Sequence, residues 1–330
     1  MIELSGTSAA PLPAECEATI VTVGTFDGVH RGHLDVLARL VERSRAIGIP
    51  SLLVSFEPHP LELLNPSAAP LLLTTRAEKL EVLASTGLDY VAIMPFDRAL
   101  ADLSAEDFVE QVLRARFRMR ELLIGHDHGF GRGREGGVDT VRALGLADDF
   151  QVDVVAPVCG DDSAPISSSR IRKGIAAGEL DDAARALGRR YAVRGTVVPG
   201  DARGRELGYP TLNVLPDSPR KLLPPDGVYA VEVSTGRGLF GGMLNLGGRP
   251  TVQDERRTIE AHLFDVSADF YGDVVQVGFV ARLRDTIRFD GLDALKAQLA
   301  ADERAARGAL TASGEPGNLK GSMQFPPSTP

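Results

Sequence analysis

The sequence predicts two domains, an α/β domain with a parallel sheet followed by a small antiparallel β-barrel. Its 330 residues are enough for two hydrophobic cores. Strand-like and helix-like segments alternate through the first half, as they do in parallel sheets covered by helices on both faces. After about residue 188 the pattern changes to short strand-like segments between Gly- and Pro-rich turns, which is typical of a small barrel.

The first predicted domain, residues 1–188, opens with a buried strand, "TIVTVGTF" (19–26). The following segment, 31–48, is predicted to be a helix because Leu34, Leu37 and Val41 recur at helical spacing. Further strands are predicted at 51–56, 90–96, 121–125 and 151–158, and further helices at 75–86 and 104–116. Since ligands of such sheets bind at the carboxyl ends of strands, "GTFDGVHRGH" and "GHDHGFGRG" are expected at the binding edge.

The second predicted domain, residues 189–307, contains five clear strand-like segments: "YAVRGTVV", "GVYAVEVS", "LFGGMLNLG", "TIEAHLFDV" and "DVVQVGFVARL". A closing helix is predicted from about Asp293 to Ala305, with Leu295 and Leu299 four residues apart. The Gly-, Pro- and Ser-rich tail, 308–330, is expected to be disordered.

Composition narrows the possible function classes. A formal net charge of -9 argues against a broad nucleic-acid-binding surface. The two cysteines lack metal-ligand spacing, which argues against a disulfide framework and for a reducing compartment. No apolar run approaches the roughly 18 residues of a membrane span. We therefore expect a cytoplasmic protein that binds neither nucleic acid nor membrane. The sequence carries no indication of its oligomeric state.

Two histidines, His30 and His33, stand three residues apart at the start of the first predicted helix. Both side chains can therefore face one ligand near the helix N-terminus, where unpaired N–H groups suit a phosphate. Imidazoles there could stabilise charge on a transferring phosphoryl group, and Gly28 and Gly32 leave room for a nucleotide. The alternative for an isolated pair is that it only caps the helix or packs against the core.

A zinc site is a second alternative for the same edge. His126 and His128 follow another predicted strand, so four imidazoles could in principle hold zinc. However, zinc sites of this kind usually include a carboxylate or a thiolate. The glycines around both histidine pairs favour a phosphate-bearing ligand instead.

The segment "PISSSRIRKGIAAGEL" (165–180) offers further groups for an anion. Ser167 to Ser169 could cap a helix whose first turn carries Arg170 and Arg172, which would aim hydroxyls, amides and guanidiniums at a phosphate. An ordinary Ser cap with a surface ion pair explains the segment equally well.

In the second half, "GTVVPGDARGRELGYPTLN" (195–213) is predicted to contain a flexible basic loop. Such a loop can wrap phosphates with backbone amides; it has three glycines around two arginines, namely Gly200, Gly204, Gly208, Arg203 and Arg205. In a strand, Thr211 and Asn213 point the same way, and their hydroxyl and amide oxygens would suit Mg²⁺ held together with phosphates. The alternative is an Arg/Gly turn before a strand that starts at Pro210.

The strand-like segment 256–266 carries a candidate general base. Period two places Glu260 and His262 on one face and Ile259, Ala261 and Leu263 on the other. If the apolar face fills the barrel, Glu260 points outward and could accept a proton from an attacking hydroxyl. The alternative is an ordinary solvated strand residue.

Taken together and in order, these motifs resemble the bacterial bifunctional riboflavin kinase/FAD synthetase family. The first half is similar to its adenylyltransferase module through "GTFDGVHRGH", "FEPHP", "GHDHGFGRGREGG" and "SSSRIR". The second half is similar to its riboflavin kinase module through "GRELGYPTLN", "GGMLNLGGRPTV", "IEAHLFD" and "FYGDVVQVGFVARLRD". The resemblance covers roughly residues 15–306. It implies a Rossmann-like nucleotidyltransferase domain followed by a riboflavin kinase β-barrel.

For the first module, the resemblance implies that His30 and His33 contact ATP phosphates and stabilise the transition state, and that Asp127 faces the metal and the nucleotide. The implied ATP-binding positions are Gly24, Phe26, Asp27, Gly28, His30, Gly32, His33, Asp127, Ser168, Ser169 and Arg170. The chain departs from the family pattern at Ser169, where Thr is usual, and at His128 and Gly129. His59 in "FEPHP" matches the family, and the flanking prolines favour a structural role.

For the second module, the resemblance implies that Thr211 and Asn213 bind Mg²⁺ with ATP and that Gly200 and Arg205 belong to the ATP-binding loop. Glu260 corresponds to the catalytic base that activates the 5′-hydroxyl of riboflavin. Arg284 lies in "RLRD", which corresponds to a flap near the flavin.

The sequence therefore predicts an enzyme that phosphorylates riboflavin with ATP to give FMN, then adenylylates FMN with a second ATP to give FAD and pyrophosphate. Riboflavin, FMN, FAD and ATP are its expected partners, with Mg²⁺ as cofactor. Two other functions are open. One is a zinc-dependent hydrolase that uses the four histidines. The other is a flavin-binding or regulatory protein whose first module has lost turnover.

Overall fold

The computed structural model describes residues 1–4, 12–127, 129–200, 204, 207–248 and 257–314. The chain divides into two compact units, Met1–Ser167 and Ser168–Pro330. The boundary at 188/189 proposed from the sequence lies two helices farther along the chain and stays a prediction.

The first unit contains a six-stranded parallel sheet in the order β1-β4-β3-β2-β5-β6. This confirms the α/β class predicted for the first half. The strand β1 was not predicted. The strands are β1 (Ile2–Glu3), β2 (Thr19–Val23), β3 (Ser51–Glu57), β4 (Tyr90–Pro95), β5 (Met119–Gly125) and β6 (Gln151–Val155).

Helices connect these strands, as the alternation predicted. The helices are α1 (Arg31–Ile47), α2 (Pro60–Leu64), α3 (Arg76–Ala84), α4 (Arg98–Ala101), α5 (Ala105–Asp107), which continues as a π-helical segment (Phe108–Arg114), and α6 (Val138–Ala147). Helix α1 buries Leu37 and Val41 of its predicted stripe together with Val36 and Leu40, whereas Leu34 is only half-buried. It ends at Gly48, whose φ of 67° is the left-handed conformation that glycine favours.

The core of the first unit lies around β2, all five residues of which are buried. β2 is an inner strand of the sheet, paired with β3 on one edge and with β5 on the other. Inner strands of parallel sheets are buried on both faces, so β2 needs no polar face. The buried Thr19 hydroxyl has an internal partner, since it donates to the carbonyl of Phe117 at 2.6 Å. The loop that follows β2 therefore starts from a rigid point at the carboxyl edge of the sheet.

The second unit begins with helices α7 (Ser168–Ala177) and α8 (Leu180–Leu187) and continues as a closed antiparallel barrel. This confirms the predicted barrel. Its strand order is β10-β11-β8-β7-β12-β9. The strands are β7 (Ala192–Val198), β8 (Leu212–Pro216), β9 (Gly227–Thr235), β10 (Gly238–Gly248), β11 (Arg257–Leu263) and β12 (Val274–Arg284).

Strand β11 shows the alternation that the sequence predicted. Ile259, Ala261 and Leu263 are buried at 1%, 0% and 6% exposure, so they fill the barrel. Glu260 and His262 alternate with them and are only half-buried, on the outer face.

The last helix, α9 (Leu292–Ala312), runs seven residues past its predicted end at Ala305. The first five residues assigned to the tail, 308–312, are therefore helical, and 315–330 lie outside the described residues. The helix is held to the barrel by a buried ion pair, in which Arg284 Nε and Nη2 donate to the two oxygens of Asp302 at 2.8 and 2.6 Å. Among the described residues, no helix is both long and apolar enough to cross a membrane.

This ion pair yields the first prediction. Asp302→Ala leaves the guanidinium of Arg284 without its buried carboxylate, so we expect the free energy of unfolding to fall by about 2 kcal/mol. Urea denaturation followed by circular dichroism measures the change. Asp290→Ala, in the exposed loop before α9, is the control and should change the stability little. Equal free energies of unfolding for Asp302→Ala and Asp290→Ala would show that the Arg284–Asp302 ion pair does not stabilise the fold.

Candidate active site

The loop between β2 and α1 has an unusual backbone. Phe26 and Val29 have positive φ values of 46° and 37°, which side-chain-bearing residues rarely adopt, and both are buried. Gly28 has a φ of 84°, the conformation that glycine adopts without strain. Such a backbone persists only when the surrounding structure holds it in place.

Asp27 holds this loop through its carboxylate, which is 3% exposed. Its two oxygens accept hydrogen bonds from the backbone N–H groups of Leu73 and Thr74 at 3.0 and 2.9 Å. The Thr74 hydroxyl lies 3.2 Å from the same carboxylate and accepts from the Gly28 N–H at 3.0 Å. These contacts show Asp27 fastening the loop; whether it also contacts ATP stays a prediction.

His30 and His33 are brought together by the start of α1. His30 is the N-cap, and its Nδ1 accepts from the backbone N–H of His33 at 3.3 Å. The two rings stack with centroids 3.7 Å apart and planes at 16°, and Phe26 lies 4.5 Å from the His33 ring. Both predicted functional histidines therefore belong to one stacked cluster at a helix N-terminus. The capping role, which was the alternative, is real for His30 and does not exclude a ligand at the same end.

Gly32 leaves room for this stacking. A Cβ at position 32 would lie 3.2 Å from both Nδ1 and Cε1 of His30 and 3.8 Å from the carbonyl oxygen of Ile166. A side chain there would press on the His30 ring. The segment that ends the first unit thus approaches the start of α1.

The loop after β5 lies at the same edge, because β5 pairs in parallel with β2. Asp127 presents a side chain that is 79% exposed, and His126 Nδ1 lies 3.9 Å from its Oδ1. Arg134 donates to the Asp127 carbonyl at 3.2 Å, which fixes the backbone of the loop. His128 lies outside the described residues. Across the described parts of the chain, no group of three or more His, Cys, Asp or Glu side chains is arranged to hold a metal ion.

His59 and Lys79 complete this edge. His59 Nδ1 accepts from the Leu61 N–H at 3.2 Å and forms a capping box with Glu62, so it starts α2. Lys79 was not apparent from the sequence. It is 8% exposed, and its ammonium donates to the Thr25 carbonyl at 2.6 Å and to the Ser55 hydroxyl at 3.3 Å. Burial lowers the pKa of this ammonium, and the negative charges of Asp27 and Glu57 oppose that effect.

Ser168, Ser169 and Arg170 open α7, which belongs to the second unit. Ser167 precedes the helix, as a capping segment would. Ser169 and Arg170 are exposed, whereas Ile171 is buried.

The barrel presents a polar row on its outer face. In the strand register, Glu260 of β11 stands directly opposite Asn213 of β8 on one side and Asn245 of β10 on the other. Directly opposite residues of antiparallel strands point to the same face, so the three side chains are neighbours. The sequence pattern indicated Glu260 and Asn213, whereas Asn245 becomes apparent only through the strand pairing.

Gly200, just after β7, lies against Asn213. A Cβ at Gly200 would lie 2.0 Å from the Asn213 Nδ2, so a side chain there would displace the Asn213 amide. Thr211 lies one residue before β8 begins, so the same-face argument made for it from strand periodicity does not apply directly. A Cβ at Gly204 would lie 2.2 Å from the carbonyl oxygen of Tyr209 and 3.6 Å from Cγ2 of Thr211, so the backbone at Gly204 approaches this segment closely. Arg205 lies outside the described residues.

His262 and Arg284, the other polar residues of interest, both have internal partners. The Nδ1–H of His262 donates to the Pro210 carbonyl at 2.8 Å, which anchors the segment before β8. Arg284 donates to Asp302, as described above, and its Nη1 donates to the carbonyl of Asp285 at 2.8 Å. Its guanidinium thus holds α9 to the barrel. A flavin contact by Arg284 stays a prediction.

Known proteins match both parts of the chain. The family model described as FAD synthetase matches residues 12–170, and the model described as riboflavin kinase matches residues 187–310. The bifunctional riboflavin kinase/FMN adenylyltransferase of Escherichia coli K12 is 41% identical over 292 residues, 88% of this chain and 92% of that protein. The protein of the same name from Pseudomonas fluorescens is 38% identical over 297 residues, 90% of this chain and 94% of that protein.

A solved structure also matches most of the chain. The crystal structure of a protein from Streptococcus pneumoniae, described as a macrolide-efflux protein, superposes with a TM-score of 0.80 at 31% identity. The match covers 92% of this chain and 95% of that one, so the two share their fold throughout. With both family models in consecutive positions and relatives of this similarity along nearly its whole length, the chain belongs to the bifunctional riboflavin kinase/FMN adenylyltransferase family.

Proposed function

We propose that the chain converts riboflavin to FAD in two ATP-dependent steps. The observation that carries this is the consecutive match to the two family models, one for each reaction, on a chain that folds as a sheet unit and a barrel unit. Riboflavin, FMN, FAD and ATP are the substrates and products of these two activities. A cytoplasmic location is part of this proposal and follows from the sequence.

In the adenylylation step, a phosphate oxygen of FMN attacks the α-phosphorus of ATP, and the bond to the bridging β-phosphate oxygen breaks to release pyrophosphate. We assign His30 and His33 to the charge that develops on the phosphates. Their stacked rings at the N-terminus of α1 support this, since the helix end itself favours negative charge. Ser168, Ser169 and Arg170 are proposed to bind phosphate as well.

In the phosphorylation step, the ribityl 5′-hydroxyl attacks the γ-phosphorus of ATP and ADP leaves. We assign the hydroxyl proton to Glu260, because this carboxylate stands on the outer face of the barrel between two amide side chains. Asn213 and Thr211 are proposed to orient the nucleotide beside Glu260. The backbone at Gly200 lies against the Asn213 side chain.

The donor groups fit Mg²⁺. Thr211 and Asn213 offer neutral oxygens, which suffice when nucleotide phosphates supply the negative charge, and Asp127 offers an exposed carboxylate at the sheet edge. When bound, Mg²⁺ would neutralise phosphate charge in both reactions. We propose these three residues as its protein ligands.

Product analysis tests the proposal. Purified protein is incubated with riboflavin, ATP and Mg²⁺, and the flavins are separated by chromatography over time. We expect FMN to accumulate first and FAD to follow. FMN without FAD would support a first unit that has lost turnover. Neither product, together with stoichiometric zinc in the protein, would favour the hydrolase alternative.

The second prediction concerns the histidine pair. Replacing both His30 and His33 by Ala removes the imidazoles from the proposed phosphate site, so FAD formation from FMN should fall by at least about 100-fold. Riboflavin phosphorylation should stay within about twofold of the unchanged protein, since its residues lie in the barrel. Initial rates with FMN or riboflavin as the only flavin measure the two effects. Equal loss of both activities in a folded variant would contradict separate sites.

The third prediction concerns the general base. Glu260→Gln keeps the shape of the side chain and removes its ability to accept a proton, so riboflavin phosphorylation should fall by about 100- to 10,000-fold. FAD formation from added FMN should be unchanged. Glu232→Gln, which removes a half-buried carboxylate on β9 that pairs with Arg190, is the matched control and should retain most kinase activity. Kinase activity of Glu260→Gln equal to that of the control would show that Glu260 is not the base.

A further inference from the structure

Lys79 is a buried cation that the proposed reaction does not use directly. It lies on α3, is 8% exposed, and contacts the loop that leads to His30. Its ammonium donates to the carbonyl oxygen of Thr25 at 2.6 Å. Charged donors form the stronger class of hydrogen bond, particularly where water is excluded. The contact therefore fixes the loop backbone one residue before its first strained position, Phe26.

A second donor meets the same carbonyl. The Ser55 hydroxyl, on β3, donates to the Thr25 oxygen at 3.1 Å and lies 3.3 Å from the Lys79 ammonium. Ser55 is completely buried. The Thr25 carbonyl oxygen thus accepts hydrogen bonds from Lys79 of helix α3 and from Ser55 of strand β3.

The same stretch of chain also holds the far side of the loop. Thr74, just before α3, binds Asp27 through its N–H and hydroxyl, and it accepts from the Gly28 N–H. Residues 73–79 thereby contact the loop at three positions, 25, 27 and 28.

The charges within this region complement each other. Lys79 and Asp27 are both buried, and the carboxylate stabilises the charged form of the ammonium. A buried cation without such compensation would be costly, and so would the carboxylate. One buried charge thus lies within the loop, on Asp27, and the opposite charge lies beside it, on Lys79; the same loop has two side-chain-bearing residues at positive φ.

We propose that Lys79 is a positioning residue for FMN adenylylation: by fixing the Thr25 carbonyl, it holds the loop in the strained form that sets His30 and His33 in their stacked arrangement. This inference rests on the proposed adenylyltransferase function. Lys79 itself is expected to touch neither ATP nor FMN. Its effect on the reaction passes through the loop backbone to the N-cap of α1.

The test is Lys79→Met, which keeps the length of the side chain and removes its charge and donors. We expect kcat for FAD formation from FMN to fall about 10- to 100-fold, with the KM for ATP changed less than about threefold, because misplaced groups affect the transition state most. Riboflavin phosphorylation by the same preparation should be unchanged. Ser55→Ala, which leaves Lys79 in place, should give a smaller fall in the same kcat.

Asp89→Ala is the matched control. Asp89 holds the other end of β3, where its carboxylate accepts from the Ser51 N–H and hydroxyl at 2.8 and 2.7 Å. Asp89→Ala should lose about as much thermal stability as Lys79→Met and should keep its kcat for FAD formation.

Three outcomes would overturn the inference. One is unchanged kcat in both Lys79→Met and Ser55→Ala. The second is an equal fall in kcat in Asp89→Ala, which would show that Lys79→Met acts only by lowering the general stability of the fold. The third is absence of FAD formation by the unchanged protein, which would contradict the proposed function itself. If Lys79→Met does not fold, Ser55→Ala with Asp89→Ala decides the question alone.

Discussion

The fastening of one strained loop is the constraint on which the first site depends. Between β2 and α1 the chain must leave a buried strand and enter a helix within seven residues, two of which, Phe26 and Val29, bear side chains at positive φ. The buried carboxylate of Asp27 makes this conformation stable by taking up backbone N–H groups of a distant segment. The conformation in turn makes His30 the N-cap and stacks it on His33. The histidine pair is thus a consequence of backbone geometry.

The second site depends on regular strand pairing instead. In a barrel the alternation of side chains determines which residues face outward, and the register determines which of them are neighbours. The closed ladder sets Asn213, Glu260 and Asn245 in one row without any strained backbone in those strands. The two proposed sites therefore differ in construction: the first is built on a helix end and a fixed loop, the second on a polar row of side chains on a sheet.

Much of this could be predicted from the sequence, because the relevant signals are local. The strand and helix alternation, the barrel and the outward orientation of Glu260 all follow from periodicity. What could not be predicted depends on contacts between residues far apart in the chain. The partners of Asp27 and Lys79 lie 24 to 54 residues away, and Asn245 meets Glu260 only through the ladder. The pairing of Arg284 with Asp302, 18 residues away, could not be predicted from the Arg284 motif either, and the flavin contact of Arg284 stays a prediction. The extension of α9 was missed because Gly308 interrupts an otherwise helical pattern.

The central claim is that one chain carries two separate ATP sites. Calorimetric titration with a non-hydrolysable ATP analogue in the presence of Mg²⁺ tests it most directly. We expect two molecules of analogue to bind per chain, one of which is lost when His30 and His33 are replaced by Ala and the other when Asn213 is replaced. A single site in the unchanged protein, or loss of both sites from either change in a folded chain, would contradict it.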